Sequence, residues 1–229
     1  KNIMLKAALG LGAAMSLWLG LSAYGAQSSV IESVNVSFKT VYGEPEEIPE
    51  PEVTVSGKSC SLGDVQYRTD YDSWKPGRKV RVEVTVVAED GKYFPATLNR
   101  SKCKVTGADF VSAKALDDSS LQVKADYRPV TVLGDTQKAG WSSTSKKKAV
   151  WKSVEYAPGY TLTLYGDTKV VKRITVESNS VNLADYMTDM DKTYYYEVKA
   201  VPVTSDEKKY LKEGQYVTST DQEFDWEDY

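Results

Sequence analysis

The sequence predicts an all-β protein made of two consecutive β-sandwiches behind an N-terminal signal segment. Three observations carry that prediction. The stretches Val80–Val87 and Tyr194–Val203 alternate side-chain character with period two. No stretch after residue 26 holds an apolar stripe at helical spacing, and 16 Tyr stand against four Phe, a choice that suits half-buried strand surfaces. A chain of 229 residues that is 41% hydrophobic has material for two cores of about one hundred residues each.

Lys1 and Lys6 precede an uncharged run from Ala7 to Gln27 that closes on Ser22, Ala23, Gly25 and Ala26. A basic start, an apolar centre and a small-residue end are the parts of a secretory signal, expected here over residues 1–26. Ala23 and Gly25 fit the small-x-small rule, with cleavage after Gly25 or, alternatively, after Ala26. An uncleaved anchor is the competing reading, because about twenty apolar residues span a bilayer. Gly10, Gly12, Ser16 and Gly20 within the run favour cleavage. Removal of residues 1–26 leaves 203 residues and moves the net charge from −3 to −5. Such a mildly acidic chain lacks the basic stripe that nucleic acid demands, so no nucleic-acid partner is expected. Contact with a membrane is expected only through the signal segment, if it stays uncleaved.

In the first half, residues 27–133, Val34, Val36 and Phe38 alternate with Asn35, Ser37 and Lys39, a strand with one buried face. Gly43–Pro51 is rich in Glu and Pro and reads as a loop, after which Val53 and Val55 resume a strand. Trp74-Lys75-Pro76-Gly77 has turn residues in turn positions and leads into Val80–Val87, with Val80, Val82, Val84 and Val86 on one side. Asp90-Gly91 predicts a tight hairpin that returns through Tyr93 and Phe94. Further strands are expected at Cys103–Val105, Phe110–Ala115 and Ser120–Ala125. This pattern of short alternating strands reads as an immunoglobulin-like sandwich.

The second half, residues 134–229, opens with Trp141 as part of a first covering strand, and Thr144–Lys148 reads as a solvated turn. Trp151 follows, then Tyr160–Tyr165, a turn at Gly166-Asp167, strands through Val170-Val171 and Ile174–Val176, the Leu183–Met187 segment, and Tyr194–Val203. Val217–Phe224 closes the set. The acidic tail from Asp221 to Tyr229, with Phe224, Trp226 and Tyr229 interleaved, is either a last edge strand or a docking segment. Over roughly residues 134–220 the order and spacing of Trp151, Tyr160, Leu183, Tyr194, Val198 and Ala200 resemble a fibronectin type III domain. The resemblance implies a sandwich in which Trp151 packs between the sheets, and a setting in secreted, wall-associated proteins of Gram-positive bacteria. It implies no activity, because such modules serve as spacers, adhesion surfaces and enzyme appendages alike. The chain has no Arg-Gly-Asp, so integrin-type recognition is not implied.

The residue inventory argues against most enzyme chemistry. With no His, the chain cannot build a His-dependent triad, a His-ligated zinc site or an imidazole base, and two Cys cannot form a four-thiolate centre. It carries neither nucleotide-binding glycine motif. Paired acids remain available for glycoside hydrolysis at Asp70 and Asp72, Asp117 and Asp118, or Asp189 and Asp191, all in turn-like polar stretches where solvated Asp belongs. Asp189 and Asp191 could also face calcium, but no regular series of further oxygen ligands accompanies them. No catalysis, metal or cofactor is expected.

Cys60 and Cys103, 43 positions apart, have two readings. In a secreted domain they invite a disulfide worth about 4 kcal/mol by loop entropy; otherwise they are two buried thiols. Tyr67, Tyr71 and Trp74 fall close together in a polar stretch, and Tyr195 points away from Tyr194 and Tyr196 by strand alternation. These four either stack on the apolar face of a sugar or cover a sheet edge. The resulting expectation is a secreted or cell-surface binding and spacer module without catalysis, whose partner is a surface protein or glycan. A carbohydrate-binding accessory protein is the alternative, with a carboxylate-dependent glycosidase fragment behind it.

Overall fold

The computed structural model describes residues 29–224. The signal segment expected over residues 1–26, and Trp226 and Tyr229 of the tail, lie outside them. The described chain is all-β, with short 3-10 turns at Tyr71–Ser73 and Glu207–Lys209. No helix in it is long and apolar enough to cross a membrane. The strands are β1 (Ser29–Val30), β2 (Val34–Lys39), β3 (Glu52–Ser56), β4 (Cys60–Tyr67), β5 (Val80–Ala88), β6 (Lys92–Tyr93), β7 (Cys103–Thr106), β8 (Asp109–Asp117) and β9 (Ser120–Tyr127). They continue as β10 (Thr131–Val132), β11 (Gln137–Ser142), β12 (Ser145–Lys152), β13 (Gly159–Gly166), β14 (Lys169–Val176), β15 (Ser180–Asn182), β16 (Tyr194–Val201), β17 (Leu211–Lys212) and β18 (Val217–Thr218).

Two hydrophobic cores form, each between a three-stranded and a four-stranded sheet, in a β-sandwich-like arrangement. In the first, β3-β2-β7 faces β4-β5-β9-β8. Val34, Val36 and Phe38 meet Val80, Val82, Val84 and Val86 there, together with Leu121, Val123 and Tyr127. Burying each such aliphatic side chain contributes about 1.5–3 kcal/mol against the entropy of ordering the strands. In the second, β11-β12-β15 faces β14-β13-β16-β18. Trp151, Tyr160 and Tyr194 are 3%, 3% and 2% exposed within one core, beside Leu183, Val198 and Ala200. The aromatic spacing in the sequence thus marks the centre of this core.

Two expectations change, and one strand goes unpredicted. Gly91 does turn the chain with a positive φ, but the returning Lys92 and Tyr93 pair in parallel with Ser29 and Val30 of β1. The β5 strand is already flanked by β4 and β9, which leaves no edge for a hairpin partner. Strand β4 was hidden in the sequence, because only its last residues alternate and the pairing shifts register between Leu62 and Asp64. Lys146–Lys148 are not a turn: the chain reverses between Ser142 and Ser145, and the lysines lie in β12.

Candidate functional site

The aromatic set is drawn inward. Trp74 is only 3% exposed, its ring sits 5.0 Å from those of both Tyr67 and Tyr71, and its indole N–H donates to the Thr69 carbonyl at 3.1 Å. Tyr71 is 51% exposed, but its hydroxyl donates to the Ile48 carbonyl. The three rings make a folded cluster that closes the first core and tethers the Gly43–Pro51 loop, rather than a flat platform. Tyr195 does leave the core, and it stacks on Tyr165 with centroids 4.8 Å apart and planes within 7°. One ring therefore covers the other. The Tyr165 hydroxyl donates to Glu197 Oε2 at 2.9 Å, and that carboxylate pushes the phenol's pKa up.

In each proposed acid pair at least one member is engaged by a neighbour in its own turn. Asp117 accepts hydrogen bonds from Ser119 and Ser120, which lower its pKa as a turn-capping carboxylate. Asp189 holds Lys192 at 3.0 Å, and Asp70 accepts from Ser73 through its backbone carbonyl. Among the described residues no group of three or more acidic, Cys or His side chains could hold a metal ion. The structure adds an ionic cluster that the sequence reading missed, on the outer face of β5 and β9. Glu83, nearly buried, receives Arg68 at 2.6 Å, Lys124 at 2.8 Å and Gln122 at 3.2 Å, and Arg68 with Lys124 holds its pKa below the usual carboxylate value. Arg81 pairs with Asp126 at 2.6 Å one row away. The cross-strand register of Arg81, Glu83, Lys124 and Asp126 places acid opposite base, a signal that becomes readable only once β5 is known to pair with β9. With its acid so fully engaged, this cluster is structural.

Both cysteines are free thiols, and both are buried. Cys60 opens β4 in one sheet, and Cys103 opens β7 in the other, beside Val34. Burial raises both pKa values, that of Cys103 to about 11, with Glu89 adding to the effect at Cys60. Neither thiol has the electropositive surroundings of a nucleophile.

Two places remain where the fold positions polar groups together. One is the junction between the cores. Gly77 N–H donates to the Pro129 carbonyl at 2.9 Å, Glu46 N–H to Val132 at 2.8 Å, and Thr131 Oγ1 to Glu47 at 2.9 Å. The short β10 pairs in parallel with β17, and Lys212 Nζ lies 3.6 Å from the centroid of the Tyr42 ring. Tyr156, at φ 60°, packs against both cores. The second place is a cleft of about 710 Å³ at the opposite end of the first core. It is lined by Glu32, Ser33 and Asn35, by the Ser56–Ser59 turn, and by Ser29–Ile31 with Lys92.

Known proteins add no assignment: a scan against protein families and a search of curated proteins find no match to the chain.

Proposed function

We propose that the chain is a secreted or cell-surface spacer and binding module without catalysis, built as two tandem immunoglobulin-like sandwiches, the second of fibronectin type III type. Its role is to hold recognition loops at a fixed distance from one another, for a protein or glycan at the surface. The junction is the observation that carries this reading. The groups that meet there stand beside strand ends: Gly77 precedes β5, Pro129 follows β9 and Tyr210 precedes β17. Backbone hydrogen bonds from Thr131 to the Tyr210 carbonyl at 3.0 Å and from Leu133 to the Lys212 carbonyl at 2.9 Å join the two halves, where a flexible tether would leave such groups to water. The saturated carboxylates and absent His support a role without catalysis. Tyr67 and Trp74 pack on each other, which weakens the aromatic-stacking version of the carbohydrate-binding alternative. Small-angle scattering on the purified protein tests the reading, with a rigid elongated particle as the expected result.

A further inference from the structure

We propose that the cleft at the free end of the first core binds a sugar that carries an anionic group, carboxylate or phosphate. The inference rests on the presenter reading only for the cleft's position away from the junction. Its chemistry comes from the lining. Four serine hydroxyls, from Ser29, Ser33, Ser56 and Ser59, and the Asn35 amide offer both donors and acceptors, which is what a polyol requires. Asn35 and Ser56 are opposed across the β2–β3 ladder, so their side chains share one face. Lys58 and Lys92 supply two positive charges. The one acid of the lining, Glu32, pairs with Lys102 at 3.9 Å.

Two parts of the lining, Lys92 and the backbone of the Ser56–Ser59 turn, are held by the fold. Lys92 is placed by parallel pairing with Ser29 and donates to its hydroxyl. The Ser56–Ser59 turn is clamped by Glu89 N–H on the Ser59 carbonyl at 2.9 Å, and Ser59 itself sits at φ 64°, a left-handed conformation that costs about 1 kcal/mol or more for a side-chain-bearing residue. A Cβ at residue 57 would lie 2.7 Å from Cys60 Sγ, so a larger residue there would push that thiol aside. Lys58, at the tip of this turn, has no hydrogen-bond or ion-pair partner among the described residues. A held turn that presents an uncommitted cation beside hydroxyls recognises an anion attached to a hydroxylated ring, and it leaves a neutral sugar with only weak, water-competed hydrogen bonds. Apolar stacking is not needed, in keeping with the absence of any aromatic ring from the lining.

The test is a titration of the isotope-labelled protein with three probes at low salt: trigalacturonate, galactotriose and glucose 1-phosphate. Amide shifts at Asn35, Lys58 and Ser59 report the site. The expected result is saturable binding of one or both acidic probes, weakened by added salt, and no matching shift with galactotriose. The two acidic probes separate a carboxylated from a phosphorylated source. The Lys58→Gln, Lys92→Gln double variant should weaken the acidic probe about tenfold, while Glu32→Gln leaves it unchanged or tightens it. Lys148→Gln, far from the cleft, is the control. Equal binding of galactotriose, shifts centred elsewhere, undiminished affinity in a folded double variant, or no binding of either acidic probe at millimolar concentration would overturn the proposal. Scattering of the same sample is an independent readout, so a failed titration does not depend on the spacer reading.

Discussion

Tyr210 closes its ring directly over Gly77, so near that a Cβ at residue 77 would lie 2.5 Å from the tyrosine Cζ. Gly77 belongs to the turn before β5, and Tyr210 to the segment before β17, so this contact joins the two cores. Gly77 also holds φ 75° and donates its N–H to Pro129. The Gly77→Ala variant combines an unfavourable φ with a collision, at a combined cost of about 1–3 kcal/mol. Urea denaturation should show a lowered midpoint, with the tyrosine environment altered at the junction. An unchanged midpoint would mean that Tyr210 does not couple the halves.

The Lys212 ammonium over the Tyr42 ring is a second, weaker tie across the junction. Lys212→Met and Tyr42→Leu, separately and together, form a double-mutant cycle. The coupling energy should be about 0.5–1 kcal/mol, as for a partly exposed cation–π pair. Strict additivity would reduce the contact to coincidence.

Tyr196 ties the two sheets of the second core together. Its hydroxyl accepts from Gly140 N–H at 2.8 Å and lies 2.7 Å from the Gly140 and Val150 carbonyls. Tyr196→Phe leaves these backbone groups without their partner and should cost about 1–3 kcal/mol. Burial lifts the phenol's pKa from the ordinary value near 10 to about 12. The folded state therefore holds the proton more tightly than the unfolded state. The associated stability is complete below about pH 10 and is lost as pH rises through about 12. Alkaline unfolding followed by circular dichroism should be less steep in Tyr196→Phe; an identical slope would contradict the assignment.

Cys60 and Cys103 should resist alkylation in the folded protein at neutral pH. Burial raises both pKa values, and so little reactive thiolate is present. Iodoacetamide should label both rapidly after unfolding in denaturant and slowly before it. Intact mass of the purified protein without reductant should correspond to two free thiols. Fast labelling of Cys103 in the native state would show that the first core opens.

The tyrosine excess was legible as a β signal, but its purpose was not. The hydroxyls of Tyr160, Tyr194 and Tyr196 accept the N–H groups of Val154, Asp189 and Gly140, so each ring fills the core while its tip satisfies backbone. Strand alternation identified which rings face inward, since it depends only on period two. It could not place Trp74, whose indole is covered by Tyr67 at the end of β4 and by Tyr71 in the following 3-10 turn. Nor could it find β4, an edge strand whose polar exposed residues and bulge near Gly63 erase the alternation. The parallel pairings of β1 with β6 and β10 with β17 join residues far apart in the chain and leave no local pattern. The cleft at the free end and the junction both depend on such pairings, which is why neither stood out before the fold was known.

The central claim is a stiff, end-on pair of sandwiches, and small-angle X-ray scattering in solution tests it most directly. The account predicts a single elongated particle whose maximum dimension is roughly twice that of one hundred-residue domain, with a well-defined distance distribution that Gly77→Ala broadens. A compact particle of near-spherical dimensions, or a wild-type profile as broad as that of the variant, would contradict it.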